Sequence, residues 1–346
     1  MHRDSDEFAS VLPQKNFSFS KLNRNVIPQS PVNFVNMINQ NRALPMQGII
    51  PPMITPLKSS DELDHAGLER LIEHILGGGV HGLFILGTSG EAPSLSYRLR
   101  RELIERACQL VKGRVPVMVG ITDTSLVEAL GLARYAADCG AAAVVTSTPY
   151  YVPIGQPELV EFVKRLVGEL PLPLFLYNMP QMTKIIFEID TLKQVSHLEG
   201  IIGVKDSGGN MEYFNQLLEL KQLRPDWSVL VGPESYLAET VHRGGDGGVN
   251  GGANFYPSLF VDLYQAVRDG NAAREAELQR IVLQVGNIYS VGRHASAVIK
   301  GMKCACSLLG LCDDFMTEPF ARFNPPERER VRGILESLNL LKPATR

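Results

Sequence analysis

Residues 115–146 run Val115-Pro-Val-Met-Val-Gly-Ile121, then Ser125-Leu-Val-Glu128 opening the helical stretch Leu126–Asp138, then Ala142-Ala-Val-Val-Thr146. Two short apolar runs rich in β-branched residues bracket one stretch of helical period, which is the pattern of a parallel βαβ unit. The same alternation extends in both directions. Strands are expected at Ile49–Thr55, His81–Leu86, Val115–Ile121, Ala142–Thr146, Leu172–Tyr177, Ile201–Lys205, Ser228–Gly232 and Gly247–Asn250, and helices at Asp64–Leu76, Ser96–Val111, Leu126–Asp138, Pro157–Leu170, Met211–Leu223 and Tyr256–Asp269. Ser125-Leu-Val-Glu128 reads as a capping box, Pro157 suits a first helical turn, and Gly77-Gly78-Gly79 stops the first helix, whose core stripe is Leu68, Leu71, Ile72 and Leu76. Eight βα units over about 220 residues fit a closed (β/α)₈ TIM barrel. A doubly wound sheet is the alternative, and the even spacing of the units favours closure.

The barrel is expected over residues 48–270 and a C-terminal helical appendage over 271–346, with stretches at Ala272–Val285, Ser296–Leu309 and Pro326–Leu338 that pack and associate but carry no chemical constellation. Residues 1–47 are rich in Asn, Gln, Ser and Pro, lack any helical or strand period, and hold no acid between Phe8 and Gln47. Such a segment buries too little apolar surface to offset its ordering entropy, so a disordered tail is expected. A transit peptide would lack acids too, but Arg is sparse and no amphipathic helix is visible.

The 346 residues balance 34 Lys and Arg against 37 Asp and Glu, and no basic run exceeds Arg98-Leu99-Arg100-Arg101, which argues against a nucleic-acid or membrane-surface partner. No apolar stretch is long enough to span a bilayer. Five cysteines, Cys108, Cys139, Cys304, Cys306 and Cys312, are odd in number and lack zinc or CxxC spacing, so reduced thiols in the cytoplasm are expected.

In a barrel, chemistry sits at the C-terminal ends of the strands and in the loops that follow. Those positions hold Gly87-Thr88-Ser89-Gly90-Glu91, Pro149-Tyr150-Tyr151, Tyr177-Asn178 and Lys205-Asp206-Ser207-Gly208-Gly209-Asn210. Lys205 ends the apolar run Ile201-Ile-Gly-Val204. Desolvation there would free its amine to attack a carbonyl and form a Schiff base. A structural lysine paired with a carboxylate fits the same position. Lys300 also has apolar neighbours but lies in a helical stretch, where it would snorkel. The Gly87–Glu91 loop offers backbone N–H groups and two hydroxyls, suited to a carboxylate or phosphate, although a plain tight turn would look the same. Glu91 reads as catalytic or as an ordinary helix-start carboxylate. Tyr177 and Tyr151 suit core or interface packing singly. With Thr88 they suit a proton relay. The histidines show no ligand spacing, so no metal site is expected.

The stretches Gly48-Ile-Ile-Pro-Pro-Met-Ile-Thr55-Pro56, Gly87-Thr-Ser-Gly-Glu91, Tyr177-Asn-Met-Pro180 and Gly203-Val-Lys-Asp-Ser207-Gly-Gly, in this order, resemble the dihydrodipicolinate synthase/N-acetylneuraminate lyase family of Schiff-base aldolases. The resemblance runs from Gly48 to the C-terminal helices. It implies a (β/α)₈ barrel with C-terminal helices, a homotetramer built as a dimer of dimers, and no cofactor beyond a covalent imine with the substrate. It also implies catalytic roles for Lys205 (imine), Tyr177 (proton transfer), Thr88 (proton relay) and Tyr151 (entering the neighbouring subunit's site). Thr88 and Ser89 would hold the 2-keto acid's carboxylate, and Val249 would line the pyruvate pocket by its backbone. Met182 stands where the synthases carry an arginine for the aldehyde's carboxylate, and Lys184 where the family usually has glycine. In Gly232-Pro-Glu234-Ser235, Glu234 keeps one of the two acids with which the neuraminate lyases bind sugar. The implied function is a class I, metal-free lyase or aldolase on pyruvate or another 2-keto acid, cleaving or making a 4-hydroxy-2-oxo or 2-keto-3-deoxy acid with an aldehyde partner. Dihydrodipicolinate synthase is the alternative in the same class. A non-catalytic keto-acid-binding barrel is the alternative in another.

Overall fold

The protein is described by a computed structural model over residues 46–342. Eight parallel strands, Gly48–Ile49, Leu83–Ile85, Val117–Gly120, Ala143–Ser147, Leu174–Asn178, Ile201–Asp206, Ser228–Val231 and Gly247–Gly248, follow one another around a single sheet. The first pairs with the last through Gly48 and Gly247. The other edge of the first segment meets the second strand at Pro52 and Phe84, where Phe84 N donates to Pro51 O at 3.0 Å and Met53 N to Phe84 O at 2.8 Å. The ring of strands is therefore closed into a (β/α)₈ barrel, as the sequence predicts. Asn254 reinforces this seam. Its side chain accepts from Ile54 N at 2.9 Å and donates to Pro52 O at 3.0 Å, stitching the last βα unit to the first.

Each strand is followed by helix. The predicted helices form at His65–Gly77, Tyr97–Val111, Leu126–Asp138, Gln156–Glu169, Met211–Glu219 and Pro257–Arg268. Asp64 caps the first through Gly67 N, and its buried stripe includes Leu68, Leu71, Ile72 and Ile75, with Leu76 only partly buried. At Ser125 the hydroxyl half of the predicted box forms, accepting from Glu128 N at 3.4 Å. The sequence reading missed helices Ile189–Val195 and Leu237–His242, and the hairpin Leu57–Ser59 with Glu62–Leu63. All are too short to show a period. The appendage consists of Ala272–Val285, Ala297–Leu308 and Pro325–Ser337, with the 3₁₀ turn Gly286–Ser290 between the first two and an irregular segment, residues 309–324, between the last two.

The core is split by the barrel wall. Helices pack on the outer faces of the strands through a large cluster from Ile49 to Leu338. A smaller cluster fills the interior: Met46, Ile50, Phe84, Met118, Val145, Phe175, Tyr177, Leu230 and Val249 among others. The expected disordered tail falls on residues outside the described part, apart from Met46 and Gln47. No described helix is long and apolar enough to cross a membrane.

Candidate active site

Side chains two apart on a strand share a face, so the barrel interior sees Gly203 and Lys205 from one strand and Phe175 and Tyr177 from its neighbour. The register pairs Phe175 with Gly203 and Tyr177 with Lys205. A Cβ at Gly203 would stand 2.5 Å from the Phe175 ring and 2.3 Å from Ser228 O. Glycine is needed there so that the phenylalanine can fill the barrel beneath the lysine. One layer above, Lys205 Nζ lies 4.1 Å from the Tyr177 ring centroid and 5.0 Å from that of Phe84. The two rings meet edge to face at 6.4 Å. Lys205 is 5 % exposed.

Burial lowers the Lys205 pKa, against the opposing pull of Tyr177 and Asp206. An amine buried against aromatic faces is a better nucleophile at neutral pH than a solvated one. Burial by itself would raise the Tyr177 phenol, but the Lys205 charge and bonds from Ser207, Thr88 and Lys205 outweigh it and hold the group below its usual value. Thr88 Oγ1 lies 3.4 Å from Tyr177 Oη. Lys205, Tyr177 and Thr88 are thus brought together as expected. Ser207, to which the sequence assigns no role, belongs with them. It is the hydroxyl two residues after the lysine, and only the fold brings it to Tyr177.

Around this centre the strand ends are tied to one another. Asn178 Nδ2 donates to Asp206 Oδ1 at 2.8 Å and Asn178 Oδ1 accepts from Phe187 N at 3.1 Å. Gly208 N also donates to Asp206 Oδ1, and burial raises the Asp206 carboxyl. In the Gly87–Glu91 turn the N–H groups of Gly90, Glu91 and Ala92 make the turn's own bonds, and those of Thr88 and Ser89 have no backbone acceptor among the described residues. Val249 is buried in the interior cluster with Tyr177, its N–H bonded to Val231 O at 2.7 Å.

Other residues singled out by the sequence lie outside this cluster. Tyr151 is 93 % exposed and left-handed at φ 79°, so within one chain it does not reach Lys205. Met182 is exposed on the short helix Pro180–Thr183. Lys184 adopts φ 64°, the conformation that explains why glycine suits this position, and its Nζ donates to Gln181 O at 2.7 Å. Glu234 is engaged within the protein. Its Oε1 accepts from Gly252 N at 2.5 Å and Tyr289 Oη at 2.7 Å, while Oε2 is shut from solvent without a partner among the described residues. Glu91 is no solvated helix-start carboxylate; it is buried and paired with Lys303. Lys300 is half-buried on its helix. Among the described residues, no cluster of three or more His, Cys, Asp or Glu is placed to hold a metal.

Burial pushes the Glu234 carboxyl up to about 7 from 4.5. The folded state therefore favours the protonated acid. The stability this group contributes is complete below about pH 4.5 and is lost as the pH rises through about 7, on the order of 2–3 kcal/mol across that window. Glu234→Gln cannot titrate. Urea unfolding of the variant at pH 5 and pH 8 should show a smaller loss with rising pH than the parent protein by that amount. Equal losses in the two proteins would mean that the carboxyl titrates at its ordinary value.

The dihydrodipicolinate synthetase family pattern matches residues 45–338. A probable 2-dehydro-3-deoxy-D-pentonate aldolase of Escherichia coli K12 is 31 % identical over 85 % of this chain and 98 % of its own. A solved dihydrodipicolinate synthase from Bacteroides thetaiotaomicron superposes with a TM-score of 0.82 at 50 % identity, covering 85 % of this chain and 99 % of that one. An E. coli K12 prophage protein of the dihydrodipicolinic acid synthase family, solved with pyruvate, gives 0.81 at 29 % identity over 85 % and 99 %. With the barrel closed and the matched segment running through all its strands and on into the C-terminal helices, the chain belongs to the dihydrodipicolinate synthetase family.

Proposed function

We propose that this lyase acts on pyruvate or another 2-keto acid through an imine on Lys205, and that its preferred reaction is reversible cleavage of a 4-hydroxy-2-oxo or 2-keto-3-deoxy acid. The carrying observation is the buried Lys205 amine 4.1 Å from the Tyr177 ring, with its pKa lowered by burial. The amine adds to the C2 carbonyl, a C–N bond forms and water leaves. The resulting protonated imine accepts the electron pair when the bond between C3 and C4 breaks, or when C3 loses a proton. Tyr177 moves the protons, with Thr88 in line behind it. The free N–H groups and hydroxyls of Thr88 and Ser89 suit the keto acid's carboxylate, and the backbone at Val249 lines its pocket. The covalent imine supplies the electron sink, so the reading calls for no metal or other cofactor.

Tyr151 completes the relay from a second copy of the chain. Its near-total exposure and left-handed backbone suit a residue held ready for a partner's site. The working enzyme on this reading is a cytoplasmic homotetramer, a dimer of dimers, with small-molecule substrates and neither nucleic acid nor membrane as partner.

The choice of aldehyde turns on Met182. A thioether offers no bidentate grip on a carboxylate, and Lys184 is turned onto Gln181 O. Aspartate semialdehyde therefore loses its anchor, worth roughly ten- to a hundredfold in specificity. The resemblance to a 2-dehydro-3-deoxy-D-pentonate aldolase supports the cleavage reading. The 50 % identity to a solved dihydrodipicolinate synthase favours a second reading, synthase activity with another residue in the arginine's place. The test is kcat/KM on both substrate types side by side, for the parent and for Met182→Arg. Higher values on the hydroxy-keto acid are expected for the parent, and Met182→Arg should raise synthase turnover. Efficient synthase turnover by the unmodified protein hands the case to the second reading.

A further inference from the structure

The turn Gly87–Glu91 is bounded by two non-glycine residues in left-handed backbone, Leu86 at φ 57° and Glu91 at φ 55°. Such backbone persists where surrounding structure holds it. On one side the Thr55 hydroxyl donates to Gly90 O at 2.7 Å. On the other, Glu91 sends its carboxylate into the C-terminal appendage. Oε2 accepts from Thr317 N at 3.0 Å and Thr317 Oγ1 at 2.8 Å, and Oε1 pairs with Lys303 Nζ. Lys303 is fully buried on helix Ala297–Leu308 and also donates to Phe315 O at 2.6 Å.

A fully buried ion pair is a costly way to stabilise a fold, because desolvation offsets most of the attraction. What it supplies is position, since neither charge can leave the other. The turn it fixes carries Thr88, whose contact with Tyr177 is already long at 3.4 Å and would be lost on a shift of a few tenths of an ångström. We propose that Lys303 and Glu91 are a positioning pair through which the C-terminal helices set the turn that receives the keto acid's carboxylate. The inference rests on the imine reading for the ligand. The pair itself rests on geometry alone.

The experiment compares the parent with Lys303→Met, Lys303→Arg and the double variant Glu91→Gln/Lys303→Met, using Arg328→Met as a control. Arg328 pairs with Asp314 in the same appendage without touching the turn. Two readouts are taken on the full chain: the pyruvate concentration giving half-maximal borohydride trapping of Lys205, and amide exchange across residues 87–92. Lys303→Met should raise half-saturation roughly 10–10²-fold, the scale of a small misplacement of a binding group, while trapping at saturating pyruvate stays within about threefold. Exchange should quicken in that turn. The double variant, which removes both buried charges, should recover part of the loss, and Lys303→Arg should fall between parent and Lys303→Met. Arg328→Met should change neither readout.

Unchanged half-saturation and unchanged exchange in Lys303→Arg and the double variant would overturn the proposal, as would equal effects from Arg328→Met. If the parent itself is not trapped by any 2-keto acid, the imine reading falls. The exchange readout then still decides the pair, because quickening confined to residues 87–92 supports it and uniform or absent quickening overturns it.

Discussion

Borohydride added with pyruvate is expected to fix a reduced pyruvyl group on Lys205, and Lys205→Ala is expected to lose both the adduct and turnover. The predicted loss is roughly 10⁴–10⁶-fold, the scale on which enzymes suffer when a covalent nucleophile is removed. The physical basis is the layered interior. Phe175 fills the space at Gly203, so Lys205 enters a closed apolar surround where its ammonium form is penalised. A solvated ammonium carries no such penalty and competes poorly for the carbonyl. Peptide mass mapping around Gly203-Val-Lys-Asp reads the site directly. An adduct of equal yield in Lys205→Ala would displace the assignment to another lysine, and no adduct with any 2-keto acid would favour a keto-acid-binding barrel without catalysis.

Tyr177→Phe separates binding from proton movement. The ring stays, with its edge-to-face contact to Phe84, while the hydroxyl bonded to Thr88 goes. Loss of a positioned acid–base group costs roughly 10²–10⁴-fold in rate. The variant also has a signature in pH. Tyr177 pulls the Lys205 pKa up against the effect of burial, so removing its hydroxyl should lower that pKa further. The acid limb of imine trapping should therefore move to lower pH while turnover collapses at every pH. Unchanged turnover with an intact fold would return Tyr177 to core packing.

The barrel was readable because its signals are local and repeated. Each of the eight predicted strands overlaps an observed one, and the longer helices end within a few residues of expectation. The grouping of Lys205, Tyr177 and Thr88 was readable because each lies at a strand end or in the loop that follows one. What escaped depends on contacts far apart in sequence. Lys303 sits among Gly301, Met302, Cys304 and Cys306, a charge inside a buried helical run, but only the fold shows that Glu91, more than two hundred residues earlier, answers it. Lys300 drew attention instead, as the lysine whose preceding neighbours are apolar. Glu234 matches one of the two acids with which the neuraminate lyases bind sugar, and in the fold its Oε1 accepts from Gly252 N and Tyr289 Oη. The appendage, expected to pack and associate, sets Lys303 and Thr317 on Glu91 and Tyr289 on Glu234.

The seam at Asn254 has a bearing on how the chain is made. Ile54 N donates to a side chain 200 positions later, and strand Gly48–Ile49 takes one of its neighbours from Gly247–Gly248. At ordinary ribosomal speed that separation amounts to roughly 10–40 s of synthesis. Throughout it, one edge of the first strand has no mate, and the apolar segment with Ile49, Ile50, Met53 and Ile54 cannot reach its final cover. Closure must wait for the last βα unit, and until then the first strand keeps an unpaired edge of the kind that can pair with another chain.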